Sequence, residues 1–146
     1  MTALASQPAR IASVLGLPAG EGFDDVALAD RVSSGLAPAA AQALASAYGD
    51  AARLLGAVVP EATLRRARKQ RRPLSREMSE RLYEMARVRV AAVEAYGGDE
   101  AGAGAFLSRA HPLLDGRTPL DVARGSSAGA DAVVRLLRRA DAGFAV

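Results

Sequence analysis

A chain of 146 residues, half of them hydrophobic, has room for one compact domain or two small helical ones. Alanine and leucine dominate the hydrophobic half and aromatics make up only 4%, which favours an all-α fold, while the absence of cysteine excludes disulfides, thiolate metal sites and thiol nucleophiles. The net charge is only +3, but ten of the 19 basic residues lie between Pro60 and Val90, which predicts either a local anionic partner such as DNA or a solvated helix face with Glu/Arg pairs.

The N-terminal segment is predicted to hold a flexible arm followed by two helices. Residues 1–22 contain serine, proline and glycine with little helical periodicity, and we expect a loose arm there. A first helix starts near Asp24 and ends at Ser34-Gly35. A second starts at Ala37-Pro38 and ends at Gly49, because proline is tolerated in the first helical turn and glycine is favoured after the last.

The next segment has the outline of a helix-turn-helix. A short helix over Ala51–Leu55 and a glycine-containing turn precede a basic helix, which Pro60 opens and which runs to about Gln70. Leu64 and Ala67 are predicted to point inward, so the basic and polar side chains project elsewhere. The candidate DNA-contacting residues are Thr63, Arg65, Arg66, Arg68, Lys69 and Gln70.

Beyond Pro73 the chain is predicted to be helical again. Ser75 is positioned to cap the longest helix, which we expect over residues 76–96. Two glycines end that helix, and Asp99 can cap a further helix that runs to about Arg109.

A turn and a capped helix follow in the least repetitive part of the chain. His111-Pro112 favours an extended backbone, and Asp115-Gly116 is a turn dipeptide. In Thr118-Pro119-Leu120-Asp121 the threonine suits an N-cap, and the Asp121 carboxylate can reach back to the Thr118 N–H in a variant of the capping box. A last helix starts at Ser126 or Ser127 and leaves a four-residue apolar tail.

Catalytic and cofactor motifs are not recognisable in the sequence. The one histidine, His111, has no thiol or second imidazole with which to hold a metal, and its proline neighbour favours a capping or surface role over that of a base. No Walker-type phosphate loop is present. No signal peptide or apolar window of roughly 20 residues stands out, so we expect a cytoplasmic binding protein without catalytic residues, metal or cofactor.

The segment from His111 to Asp121 resembles the central motif of the toxin-binding domain in the Xre/MbcA/ParS antitoxin family. That motif begins with Asn-Pro or His-Pro, continues with a hydrophobic pair, and then reads Gly-Arg-Thr-Pro-Leu followed by Asp or Glu. The resemblance continues through Gly129, Val133, Leu136, Leu137, Arg139 and the Gly143-Phe144-Ala145 ending. The resemblance also covers four stretches upstream. Residues 35–38 are similar to the entry of the family's N-terminal helical domain, and residues 52–56 and 63–66 are similar to its helix-turn-helix. Residues 74–88 are similar to the hinge and the long helix after it.

The resemblance implies a helix-turn-helix-like domain (23–73), joined by a long helix to a small helical toxin-binding domain with a C-terminal tail (74–146). The implied partner is a RES-type toxin that degrades NAD or uses it for ADP-ribosylation. In such complexes the antitoxin's C-terminal end lies at the mouth of the NAD pocket. On this chain that role falls to Arg139, Gly143, Phe144, Ala145 and Val146.

Several interpretations stay open at this stage. Arg117 either contacts the toxin or bonds helix-end carbonyls or Asp121. Phe144 is either covered by a partner or folded onto the protein's own core. The family also implies that the antitoxin represses its own operon, and a homodimer is expected because helix-turn-helix readers commonly pair to match two-fold operators. The turn Ala57-Val58-Val59 departs from the family pattern, since it is more apolar than the usual turn before a recognition helix, and some relatives use this domain more for assembly than for DNA binding. A different class of protein, a stand-alone regulator whose C-terminal region only dimerises, is the alternative.

Overall fold

The structure is a computed structural model that describes residues 5–49 and 58–141. Over these ranges it contains eight α-helices, one short 3-10 helix and no strand, so the predicted all-α fold is confirmed. None of the helices in this described part is long and apolar enough to cross a membrane. The short helix predicted over Ala51–Leu55 and the tail Gly143–Val146 lie outside the described residues.

The helices surround one long central helix. In chain order they are α1 (Gln7–Val14), α2 (Asp25–Ser33), α3 (Ala39–Tyr48), α4 (Glu61–Gln70), α5 (Arg76–Ala95), α6 (Glu100–Ser108), α7 (Pro119–Gly125) and α8 (Ser127–Asp141). The 3-10 helix, Pro112–Leu114, lies between α6 and α7. α5 contacts α1, α2, α3, α6, α7 and α8, so both halves predicted from the sequence pack against the same helix.

α5 is buried on more than one face. Leu82 and Met85 are almost completely buried, and the five consecutive residues 88–92 are buried too. Five consecutive helical residues point in all directions around the axis, which is typical of a helix inside a core rather than on its surface. Two alanines within that run allow neighbouring helices to approach closely.

The N-terminal segment forms a helix where a flexible arm was predicted. Ser6 caps α1, and Arg10 pairs with Glu94 of α5. The apolar side chains that α1 and its end bury in the core are those of Ile11, Ala12 and Leu15. The arm prediction is therefore wrong over α1, because packing against α5 stabilises a helix too short to be stable by its own propensity.

The loop between α2 and α3 is fixed to the start of α5. The Leu36 N–H donates to the Oγ of buried Ser79 at 2.8 Å, and the Leu36 carbonyl accepts from the Leu74 N–H at 2.8 Å. Gly35 has a φ of +94°, and a Cβ there would lie 2.5 Å from the Leu74 carbonyl oxygen. Glycine at this position is therefore required by both its backbone conformation and the close approach.

α7 and α8 meet at a tight corner. Of the two predicted caps for the last helix, Ser126 is the one that accepts from the Gly129 N–H, at 3.0 Å. A Cβ on Gly129 would overlap the Val122 carbonyl oxygen of α7. The buried residues of α8 are Ala130, Val133, Val134, Leu136 and Leu137.

A charged cluster links α8 to α5 at the surface. The Arg87 Nη2 lies 2.7 Å from a Glu84 carboxylate oxygen and 2.5 Å from Asp131 Oδ1. Burial lowers the pKa of Arg87, but these hydrogen bonds outweigh it and raise the pKa overall, and the same contact with Arg87 lowers the pKa of the Asp131 carboxyl. The cluster adds a charged contact between α5 and α8 to the apolar contacts of their buried residues.

Candidate functional site

α4 presents the basic surface that the sequence predicts. Leu64 and Ala67 are the buried residues of α4 and attach it to the protein, as expected. Among the candidate DNA-contacting residues, Thr63 is half-buried, and the exposed ones are Arg65, Arg66, Arg68, Lys69 and Gln70. Because these side chains are exposed, they are accessible to an anionic partner.

The cations of α4 are unpaired in the part of the chain that the structure describes. No carboxylate among those residues lies within ion-pair distance of Arg65, Arg66, Arg68 or Lys69. The Glu/Arg pairs that the sequence offered as the alternative occur instead on α5. There Arg76 lies 3.3 Å from Glu80, and Arg81 lies 3.1 Å from Glu77. Glu/Arg pairing therefore describes α5, whereas the cations of α4 stay available to an anionic partner.

The basic surface extends past the end of α4. Arg71 ends the helix with a left-handed φ of +53°, and both Arg71 and Arg72 are exposed. Neither was singled out from the sequence, although both follow the predicted helix directly. The helix predicted to precede α4 in the helix-turn-helix falls outside the described residues.

The loop between α6 and α7 closes on His111. The His111 N–H donates to the Arg117 carbonyl at 3.0 Å, and its own carbonyl accepts from the N–H groups of Leu114 and Gly116 at 3.0 and 3.1 Å. Asp115 and Gly116 have positive φ values of 56° and 76°, so the predicted turn is confirmed. We call residues 111–117 the closed loop.

Local side-chain caps hold both ends of this region. The His111 Nδ1 accepts from the Leu113 N–H at 3.1 Å, which is the capping role predicted for the lone histidine. The Thr118 Oγ1 accepts from the Asp121 N–H at 3.1 Å, as expected of an N-cap. The Asp121 carboxylate, predicted to reach back to Thr118, lies 3.4 Å from the Arg124 Nη2 at the other end of α7.

Arg117 is exposed on the closed loop. Asp121 pairs with Arg124, and the pairing of Arg117 with Asp121 that the sequence left open is not among the ion pairs of the described residues. Its guanidinium forms no ion pair with a carboxylate of residues 5–49 or 58–141. The side chain is thus open to a partner, while its backbone closes the loop.

Aromatic rings contact one another beside the closed loop, a feature not predicted from the sequence. The ring of Tyr96 lies 5.9 Å from that of Phe106, between centroids, and Phe106 meets His111 edge-on at 5.7 Å. Tyr96 and Leu113 are exposed although they are large and hydrophobic. The chain has only six phenylalanines and tyrosines. Two of them, Tyr96 and Phe106, precede the His111–Asp121 segment, and this could have indicated the cluster.

The other predicted toxin-binding residues belong to the end of the chain. Arg139 is exposed near the end of α8, on the same helix as the exposed cations Arg135 and Arg138. Gly143, Phe144, Ala145 and Val146 lie outside the described residues. The structure therefore places Arg117 and Arg139 on different elements, the closed loop and α8.

Two family models match the sequence. One, described as an antitoxin Xre-like helix-turn-helix domain, matches residues 27–87, and the other, described as an antitoxin Xre/MbcA/ParS C-terminal toxin-binding domain, matches residues 91–143. The first runs from α2 into α5, and the second from the end of α5 through α8. Together they match more than three quarters of the chain. A comparison with curated proteins finds no match.

Proposed function

The chain belongs to the Xre/MbcA/ParS antitoxin family, and from this premise we propose that it neutralises a RES-type toxin that consumes NAD. The observation that supports this most is the match over residues 91–143, which contains the closed loop with its exposed Arg117. A loop closed by backbone hydrogen bonds presents its side chains in a fixed arrangement, which lowers the entropy lost when a partner binds.

The proposed mechanism of inhibition is occlusion of the toxin's NAD site by the C-terminal tail. α8 is held to the core by Val133 and Leu137 and to α5 by the Asp131–Arg87 contact. α8 is therefore held in place against the rest of the protein. A short apolar tail containing Phe144 has the chemistry to occupy a pocket that otherwise receives a planar ring of NAD.

The experiment that tests this proposal is co-production with a RES-type toxin encoded beside this chain. We expect the two proteins to purify as a stable complex, and we expect cellular NAD to stay at its normal level, whereas the toxin alone lowers it. Purification of this chain without such a toxin would contradict the proposal. It would favour the alternative, a stand-alone regulator whose C-terminal region only dimerises.

A second proposed role is operator binding through α4, by which the antitoxin represses its own operon. It is supported by the exposed cations of α4, which have no carboxylate partner among the described residues, and by Arg71 and Arg72 beyond its end. Arginine side chains in this arrangement can contact phosphates or the edges of guanine. We propose a homodimer within the toxin–antitoxin complex, since a two-fold operator is matched by a two-fold protein. Both roles belong in the cytoplasm, and neither assigns a catalytic residue, metal or cofactor to the chain.

Replacing two arginines of α4 tests the operator role. In Arg65→Gln/Arg66→Gln we expect operator affinity to fall by about fivefold or more for each arginine, because each lost contact to a base or phosphate costs ~1–3 kcal/mol. Titration of labelled operator DNA at several salt concentrations measures the affinity and its salt dependence, which should weaken as phosphate contacts are lost.

The matched control removes two arginines from α5. Arg76→Gln/Arg81→Gln changes the net charge equally, but these side chains pair with Glu80 and Glu77, so we expect operator affinity to change by less than about threefold. Equal losses in both variants would mean that general charge, not α4, attracts the DNA. Wild-type binding no tighter to operator than to unrelated DNA would leave α4 with a role in assembly alone.

A further inference from the structure

Exposed hydrophobic side chains are concentrated beside the closed loop. In the described part of the chain three large hydrophobic side chains are exposed, and two of them, Tyr96 (39%) and Leu113 (57%), lie here, while Val26 (68%) lies on α2. The rings of Phe106 and His111 connect them, because Phe106 contacts Tyr96 and His111, and His111 bonds the Leu113 N–H. We name Tyr96, Phe106, His111 and Leu113 the ring patch.

Two exposed cations border the ring patch. Arg109 precedes His111 by two residues, and the Arg117 carbonyl accepts from the His111 N–H. Both arginine side chains are exposed, and neither forms an ion pair with a carboxylate in the described ranges. Tyrosine, phenylalanine and arginine are the residues that protein interfaces favour, and arginines beside an apolar surface complement carboxylates on a partner.

The residues of the ring patch are held by contacts with α6 and with the 3-10 helix. Tyr96 caps α5 and lies against α6, so closely that a Cβ on Gly102 would come within 2.9 Å of the Tyr96 ring. Leu113 lies in the 3-10 helix that His111 caps. Exposed apolar side chains in a fixed arrangement are typical of binding sites, because little conformational entropy remains to be lost on association.

We propose that the ring patch is a toxin-docking surface that acts in addition to the C-terminal tail. It fits an apolar area of the toxin bordered by carboxylates, which would meet Arg109 and Arg117. Every residue of the patch lies within residues 91–143, the span matched as a toxin-binding domain. The inference rests on the proposed function, since it names the toxin as the partner. In this arrangement the ring patch binds the toxin, and the C-terminal tail occludes its NAD site.

The test compares the affinities of surface variants for the purified toxin, using the full chain. Leu113→Asp should raise the Kd at least about 30-fold, the effect of losing a central interface contact. Its side chain is exposed, so the fold should be unaffected, and an unchanged melting temperature checks this. Arg117→Glu should raise the Kd and reduce the association rate in a salt-dependent way, since it repels carboxylates.

The matched control is Val26→Asp, which introduces the same charge at the other exposed hydrophobic residue. We expect it to change the Kd by less than about threefold, because it leaves the ring patch intact. A wild-type chain that binds the toxin while Leu113→Asp binds equally well would overturn the ring patch and leave the proposed function standing. A wild-type chain that binds no RES-type toxin would overturn both. A Leu113→Asp variant that loses self-association but keeps its toxin affinity would assign the patch to a second copy and overturn the inference.

Discussion

Gly129→Ala should destabilise the protein by about 3 kcal/mol, at the upper end for overpacking, although alanine is the better helix former. Gly129 lies in the first turn of α8, where a Cβ would overlap the Val122 carbonyl oxygen and lie 3.0 Å from its carbonyl carbon. The obstacle is backbone, which cannot rotate away as the end of a side chain can. α7 would have to move from α8, and Leu120 and Ala123 would lose their places in the core.

Thermal and urea unfolding measure this effect. For a chain of this size the melting temperature should fall by roughly 6–12 °C. The matched control is Gly104→Ala, also inside a helix, where a Cβ would meet no atom within 4 Å. There we expect no loss and up to ~1 kcal/mol of gain from helix propensity. Equal stability of both variants and the wild type would mean that α7 and α8 do not meet as closely as described.

Removal of Gly143–Val146 should abolish toxin inhibition while leaving the complex largely intact. In the proposed mechanism the tail occupies the NAD pocket, and the closed loop and the ring patch supply the affinity. We therefore expect the Kd to rise by less than about tenfold, while NAD consumption by the bound toxin returns to most of its free rate. The measurement is NAD turnover by the purified complex at concentrations far above the Kd.

A single substitution refines this result. Phe144→Ala keeps the tail length and removes only the ring, so partial recovery of NAD turnover would assign the occlusion to the Phe144 side chain. Full neutralisation by the truncated chain would contradict the occlusion mechanism. Loss of the complex on truncation would mean that the tail, and not the loop and patch, supplies the affinity.

The helix boundaries in the C-terminal half were predictable because local hydrogen bonds determine them. Ser75, Asp99 and Thr118 each accept from a backbone N–H three residues ahead, as their residue types and positions indicated. The turn at Asp115-Gly116 followed from its sequence in the same way. The DNA-contacting and toxin-binding roles of individual residues stay predictions.

Features that depend on distant parts of the chain were not predictable. α1 is stable because Ile11 and Leu15 pack in the core around α5, dozens of residues away in sequence, and the sequence of the segment alone indicated an arm. The ring patch likewise joins Tyr96 to the closed loop through Phe106. Charge counting could not separate the paired arginines of α5 from those of α4, which have no ion-pair partner in the described ranges, because pairing depends on the side-chain geometry of each helix.

The most direct test of the central claim is a titration of purified RES-type toxin with the purified chain while NAD consumption is followed. Antitoxin function predicts that inhibition rises in proportion to the added chain and is complete at a fixed molar ratio, as expected of a stable complex. NAD consumption that continues unchanged in the presence of excess chain would contradict the account, even if the same preparation bound operator DNA.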